Sequence, residues 1–93
     1  MDATFNEKEV EELLASMNGW LSEDIAISKK FEFNDFKEAL AFVNKVGDIA
    51  ERFGHHPDML IMYNVVQVKL WTHHAGGVTK KDFEVAEQIE KVH

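Results

Sequence analysis

The sequence predicts an α+β domain, a two-layer arrangement in which an antiparallel sheet carries its helices on one face. Three observations lead there. Apolar residues recur at three- and four-residue intervals in three separate segments, the period of an amphipathic helix. Between those segments lie stretches that alternate apolar and polar residues, or run apolar throughout, as strands do. The resulting order is helix, weak strand, strand, helix, hairpin, helix, which fits a sheet with its helices gathered on one side. With 93 residues, 45% of them apolar and 29% charged, the chain fits one small domain covering residues 1–93 rather than a disordered segment.

The first helix is expected over Asn6 to Asn18, where Val10, Leu13, Leu14 and Met17 form one stripe. Asn6 with Glu9 reads as a capping box, Phe5 and Val10 occupy staple positions, and Gly19 offers a left-handed stop. Trp20 to Ser22 reads as a short strand turning through Glu23-Asp24 into a longer one, Ile25 to Phe33. There Ile25, Ile27, Phe31 and Phe33 share one side, opposite Ala26, Ser28, Lys30 and Glu32. The long helix is expected over Asn34 to Phe53, capped by Asn34, closed by Gly54, with Phe36, Leu40, Val43, Val46, Ala50 and Phe53 facing inward. Met59 to Tyr63 and Val66 to Thr72 then read as a hairpin turning on Asn64-Val65, because Asn tolerates a positive backbone angle. Thr79 to Val92 is the last helix, with Thr79 and Asp82 as its capping box and Phe83, Ala86, Ile89 and Val92 inward.

Charge and composition remove several functions. Ten basic against seventeen acidic residues give a net charge of −7, which repels a phosphate backbone and argues against nucleic acid as a ligand. There is no cysteine, so neither a thiolate nucleophile nor a cysteine zinc site is available. No apolar run approaches the roughly 18–20 residues of a membrane span, and the start has neither the basic nor the apolar region of a signal peptide. A cytoplasmic location and no membrane partner are expected.

The histidines concentrate the chemistry. A two-residue turn at Asn64-Val65 pairs Tyr63 with Val66, Ile61 with Val68 and Met59 with Leu70, and counting outward sets His56 opposite His73. Opposed Cβ atoms lie about 5 Å apart, so His55, His56 and His73 would share one rim. In that register Val66, Val68, Leu70, Met59, Ile61 and Tyr63 form the dry face. Gln67, Lys69, Trp71 and His73 take the other, together with Leu60 and Met62. A strand apolar on both sides points to self-association or to a ligand lying on Trp71, Leu60 and Met62.

Three readings of the histidines compete. Scattered surface imidazoles account for His74 and His93. A three-imidazole metal set resembles catalytic zinc, but adjacent His55 and His56 tend to point apart and no carboxylate stands at a recognised ligand spacing. Acid–base chemistry suits imidazole near neutral pH and needs no cofactor. Glu51, four residues before His55, could orient an imidazole; otherwise it is an exposed helical Glu. Asp82 is fully explained as a cap, a role compatible with one at the site. Gly76-Gly77 lacks the Gly-Lys-Ser/Thr ending of a phosphate loop and reads as a turn.

The run Glu51-x3-His55-His56-Pro57-x5-Tyr63-x9-His73-x8-Asp82, with Thr72-His73 followed by Gly76-Gly77-Val78-Thr79, resembles the pterin-4a-carbinolamine dehydratases. The likeness runs from about Phe31 to Val92 and extends to Gly19-Trp20 and the strand before Phe33. It implies removal of water from a 4a-hydroxytetrahydropterin to give the quinonoid dihydropterin, without metal or cofactor. It also implies a four-stranded antiparallel sheet with three helices on one side, assembled as a homodimer or homotetramer. By position, His55, His56 and His73 match the family's active-site histidines, with His73 and His55 expected as acid and base in either order. Pro57 matches its rigid turn, and Glu51 and Asp82 its supporting carboxylates, beside a substrate that Trp71 could stack against. His74 departs from the acidic residue that relatives often carry there. Two other functions stay open: a protein-binding role, since the family includes dimerisation cofactors of a homeodomain transcription factor, and action on another, molybdopterin-related pterin.

Overall fold

The computed structural model describes residues 3–93; Met1 and Asp2, and with them the first two positions of the expected domain and of the leader reading, lie outside the described residues. The elements run α1 (Glu7–Leu14), β1 (Leu21–Glu23), β2 (Ala26–Glu32), α2 (Phe36–Phe53), β3 (Asp58–Met62), β4 (Val65–Leu70), a 3-10 turn (His73–Ala75) and α3 (Lys80–Val92). The four strands form one antiparallel sheet in the order β1-β2-β4-β3. This is the expected α+β fold.

Alternation decides which sheet face is dry. Val66, Val68 and Leu70 of β4 and Ile27 and Phe31 of β2 are buried, and one apolar cluster joins them to Val10 and Leu14 of α1, Phe42, Val46 and Ile49 of α2, and Phe83, Val85 and Ile89 of α3. Trp20 and Phe31 meet edge to face there, and the Phe31 and Phe42 rings lie 4.7 Å apart. All three helices thus drain into one core. Among the described residues no helix is long and apolar enough to cross a membrane.

Several boundaries differ from the sequence expectation, each for a local reason. Helix α1 ends at Leu14, not Asn18, although its capping box forms as read, with Asn6 and Glu9 each accepting the other's backbone N–H at 2.8 Å. Gly19 has φ +87° but is no helix cap. It shapes the loop beneath Lys29, whose Cε would lie 2.9 Å from any Cβ placed there. The first turn is Asp24-Ile25 instead of Glu23-Asp24, since Asp24 takes the positive φ of 55°. Ile25 is therefore an exposed turn residue outside the dry face. The cap of α2 is Asp35, one residue later than Asn34, because its carboxylate accepts from Glu38 N at 2.8 Å.

The inward face of α2 is also corrected. Val46 and Ala50 are buried as expected and Val43 packs against the core, but Ala39, Phe42 and Ile49 are buried in place of Phe36 (46% exposed), Leu40 and Phe53. A helix apolar on most sides has overlapping candidate stripes, and the one through small Ala39 allows the closer approach to the sheet.

The hairpin register moves by two residues. Met62 pairs with Val65, Ile61 with Val66 and Met59 with Val68, so the turn is Tyr63-Asn64, with Tyr63 carrying φ +51°. A shift of two preserves sidedness, and Met59 still shares the face of Val68. Tyr63, expected on the dry face, is instead a turn residue 67% exposed.

Candidate active site

The ladder of β3 and β4 ends at Asp58 and Lys69. Continued two steps, it would set His56 against Trp71, so the expected pairing of His56 with His73 does not form. The histidines nevertheless converge, by another route. His55, His56, Trp71, Thr72, His73 and His74 line one open cleft of about 240 Å³.

Two structural devices bring them there. Gly54 takes the left-handed conformation at the end of α2, and the His55 N–H donates to Ala50 O at 3.0 Å, which turns the chain so that both histidines leave the helix toward the sheet end. Across the cleft, β4 alternation carries on past Leu70. Thr72 falls on the dry face with Val66, Val68 and Leu70, and is 1% exposed. Trp71 and His73 project to the other side, where their rings stack with centroids 3.9 Å apart and an interplanar angle of 28°.

Asp82 is the anchor of the site and is 0% exposed. Its Oδ2 accepts the Thr79 backbone N–H and the Thr72 hydroxyl, both at 2.8 Å, and its Oδ1 lies 2.6 Å from His55 Nε2. The helix cap and the histidine partner are thus the same carboxylate, one role per oxygen. A carboxylate holding three neighbours as acceptor leaves His55 Nε2 as donor, which fixes the proton on that nitrogen and directs the other ring nitrogen, Nδ1, away from Asp82. Glu51 faces His56 and not His55, with Oε2 at 2.5 Å from Nε2, and both side chains of that pair are largely in water. The geometry orients His56 but contributes little stability at the surface.

Glu51, Pro57 and Asp82, expected at the substrate site, are not among the residues that line the cleft. The two carboxylates stand behind their imidazoles, and half-buried Pro57 directly precedes β3. The Trp71 indole gives one face to His73, and its N–H points at Asp58 Oδ2 from 3.4 Å, a long contact. His55 and His56 diverge toward different carboxylates, and among the described residues no three His, Asp or Glu side chains form a group able to hold a metal ion. His93 is exposed at the residue level, yet its ring meets Phe31 edge to face at 4.8 Å. Thr72, part of the Thr72-His73 run, is the residue to which the sequence assigns no role of its own; strand parity with Val66, Val68 and Leu70 was the signal for its burial.

A roomier cleft of about 550 Å³ lies elsewhere, lined by Phe5, Glu7, Glu11, Asp24 and Gly77 among others. It holds carboxylates and no imidazole, so its size carries less weight than the chemistry of the smaller cleft.

Comparison with known proteins agrees with these features. The family model for pterin 4 alpha carbinolamine dehydratase matches residues 3–92. A relative from Koribacter versatilis that carries the pterin-4-alpha-carbinolamine dehydratase name is 45% identical over 100% of this chain and 99% of its own length. One of the same name from Sulfurisphaera tokodaii is 50% identical over 92% of each. The crystal structure of a transcriptional coactivator/pterin dehydratase from Brucella melitensis superposes with a TM-score of 0.90 at 35% identity, covering 96% of this chain and 97% of that one. The chain therefore belongs to the pterin-4a-carbinolamine dehydratase family of hydro-lyases.

Proposed function

We propose that the protein removes water from a 4a-hydroxytetrahydropterin by acid–base catalysis between His55 and His73, with no metal or cofactor. The observation that carries this reading is the commitment of His55 Nε2 to buried Asp82. It leaves Nδ1 of the neutral ring to accept a proton, and it sets a carboxylate behind the imidazolium that then forms, the arrangement that stabilises a histidine base elsewhere. His55 takes a proton from the ring nitrogen system of the pterin. His73 gives one to the leaving 4a hydroxyl, the carbon–oxygen bond breaks, and water and the quinonoid dihydropterin result. The face of Trp71 under His73 suits a cationic ring before transfer and restricts its rotation.

His56, held by Glu51 at the cleft mouth, is placed to hydrogen-bond the pterin ring. Trp71 serves as the wall beside His73, and Pro57 fixes the exit of His56 into β3. A cleft of about 240 Å³ is small beside the roughly 300–1,000 Å³ usual for drug-sized ligands, so the bicycle lies partly in the open.

The protein also self-associates in this reading. Strand β3 is a sheet edge on which Leu60 (54% exposed), Ile61 and Met62 are all exposed, and α2 exposes Phe36 and Leu40. Unpaired apolar edges of this kind are covered in stable proteins, here by further copies in a dimer or tetramer.

The test is formation of quinonoid dihydropterin from freshly generated substrate, with wild type beside His73→Ala and beside chelator-treated protein. Wild type accelerates the reaction, His73→Ala loses about a hundredfold or more, and the chelator has no effect. Full activity in the variant, or loss on chelation, contradicts the mechanism.

A further inference from the structure

We propose that Thr72 is a positioning residue that couples His55 and His73, holding the first through Asp82 and the second through the backbone. The proposal rests on the acid–base reading of those two histidines.

Counting protons sets the direction of the buried chain. The Lys81 backbone N–H donates to Thr79 Oγ1 at 3.3 Å. The Thr79 and Thr72 hydroxyl oxygens are 2.7 Å apart, and Thr72 Oγ1 is 2.8 Å from Asp82 Oδ2. Each hydroxyl has one proton. The Thr72 proton goes to the carboxylate, which has none to give, so the Thr79 proton goes to Thr72. The order is Lys81 N–H, Thr79, Thr72, Asp82, His55, with every donor used once. Both threonines are 1% exposed, so water does not substitute for either hydroxyl.

The Thr72 main chain holds the other histidine. Its N–H donates to Gly77 O at 2.8 Å, and its carbonyl accepts from Ala75 N at 3.1 Å and Gly76 N at 2.9 Å. These bonds close the short loop that contains His73, and Thr72 with Gly77 forms an isolated bridge at its neck. One residue therefore fixes the rotamer of the carboxylate behind His55 and the root of the loop bearing His73. Its side-chain hydrogen bond acts on the His55 side of the cleft and its main-chain bonds on the His73 side.

Thr72→Val keeps the branched shape and the extended backbone but removes the proton that Asp82 receives and the acceptor that Thr79 uses. Thr72→Ser restores both. The expected result for Thr72→Val is a fall in kcat of about ten- to a hundredfold with KM within about threefold, and recovery of most of kcat in Thr72→Ser. Nitrogen-15 NMR of the imidazoles adds a readout that simple destabilisation does not move. His55 holds its proton on Nε2 in wild type and in Thr72→Ser, and becomes a mixture of tautomers or exchanges rapidly in Thr72→Val. Wild-type kcat and a wild-type His55 tautomer in Thr72→Val overturn the proposal.

Should Thr72→Val not fold, wild-type protein alone decides: a Thr72 hydroxyl proton in slow exchange supports the chain of bonds, and one exchanging as fast as a surface threonine overturns it. His55→Ala and His73→Ala measured alongside separate the two claims. If they lose turnover while Thr72→Val does not, only the coupling role of Thr72 fails. If they keep turnover, the histidine mechanism fails and the coupling role with it.

Discussion

At Asp82 a single side chain meets two demands that pull on different oxygens. Oδ2 takes the donors of the helix cap and of Thr72, and Oδ1 takes His55. Asp82→Asn separates them. The amide oxygen keeps the two donors on the cap side, and the amide nitrogen then faces the His55 Nε2–H, donor against donor. His55 must move its proton to Nδ1, which removes the lone pair assigned to the base. Turnover is expected to fall by about 10²–10⁴, the range for loss of a positioned general base, and stability by about 1–3 kcal/mol for a spoiled buried hydrogen bond. Steady-state kinetics and urea unfolding measure the two separately. Near-normal turnover in a folded Asp82→Asn would show that the His55 tautomer does not matter. Asp82 illustrates what a sequence conceals at this scale. Thr79-x-x-Asp82 is legible as a cap, and the family resemblance points to Asp82 at the site, but only coordinates show one oxygen for each. Thr72 stands in the expected strand and in the Thr72-His73 run, but a hydroxyl beside a histidine has no spacing rule, so its bond to Asp82 shows only in the coordinates.

Elements were legible where local chemistry alone decides them. Both capping boxes form as the sequence states, Asn6 with Glu9 and Thr79 with Asp82. Asn6→Ala is expected to cost about 1 kcal/mol in chemical denaturation, as N-cap truncations do, and to leave turnover unchanged because no residue of α1 lines the cleft. At the other end of a helix, Gly54 combines φ +62° with open space where a Cβ would stand. Gly54→Ala therefore meets no clash and suffers from its backbone angle alone, about 1 kcal/mol in the same measurement. A loss well above that would mean the turn into His55 is held by something besides backbone conformation. Where tertiary packing chooses between equivalent local options, sequence reasoning went astray. Asn64-Val65 favours the hairpin turn because Asn accepts a positive φ, but Tyr63 takes it, at a position 67% exposed. The spacing of α2 puts Phe36 and Leu40 inward with Val46 and Ala50, but the core takes Ala39, Phe42 and Ile49 beside Val46 and Ala50. The convergence of the histidines survived the wrong register since Gly54 and the loop after Leu70, not ladder pairing, bring them together.

For the molecule as a whole, the sheet order leaves β1 and β3 as edges, and only β3 is long enough to extend into another copy. Its exposed Leu60, Ile61 and Met62 and the Phe36 and Leu40 patch on α2 give two apolar surfaces, enough for more than one kind of interface. Sedimentation at micromolar concentration is expected to show a dimer or larger species. Met62→Lys, which puts a charge on the open edge, should shift it toward monomer with the fold retained. A wild-type monomer would leave those surfaces without a role in self-association. The fold class was legible in full, and so was the family, because a set of functional residues spread from Glu51 to Asp82 is carried by spacing and survives errors of register.

The central claim is that His55 and His73 act together in one dehydration step, and a double-mutant cycle on single-turnover quinonoid dihydropterin formation tests it most directly. Groups acting as a unit are strongly non-additive. His55→Ala and His73→Ala should each lose about a hundredfold or more, and the double variant should lose little beyond the worse of the two. Losses that multiply in the double variant, or a single variant with wild-type rate, would contradict a shared acid–base step.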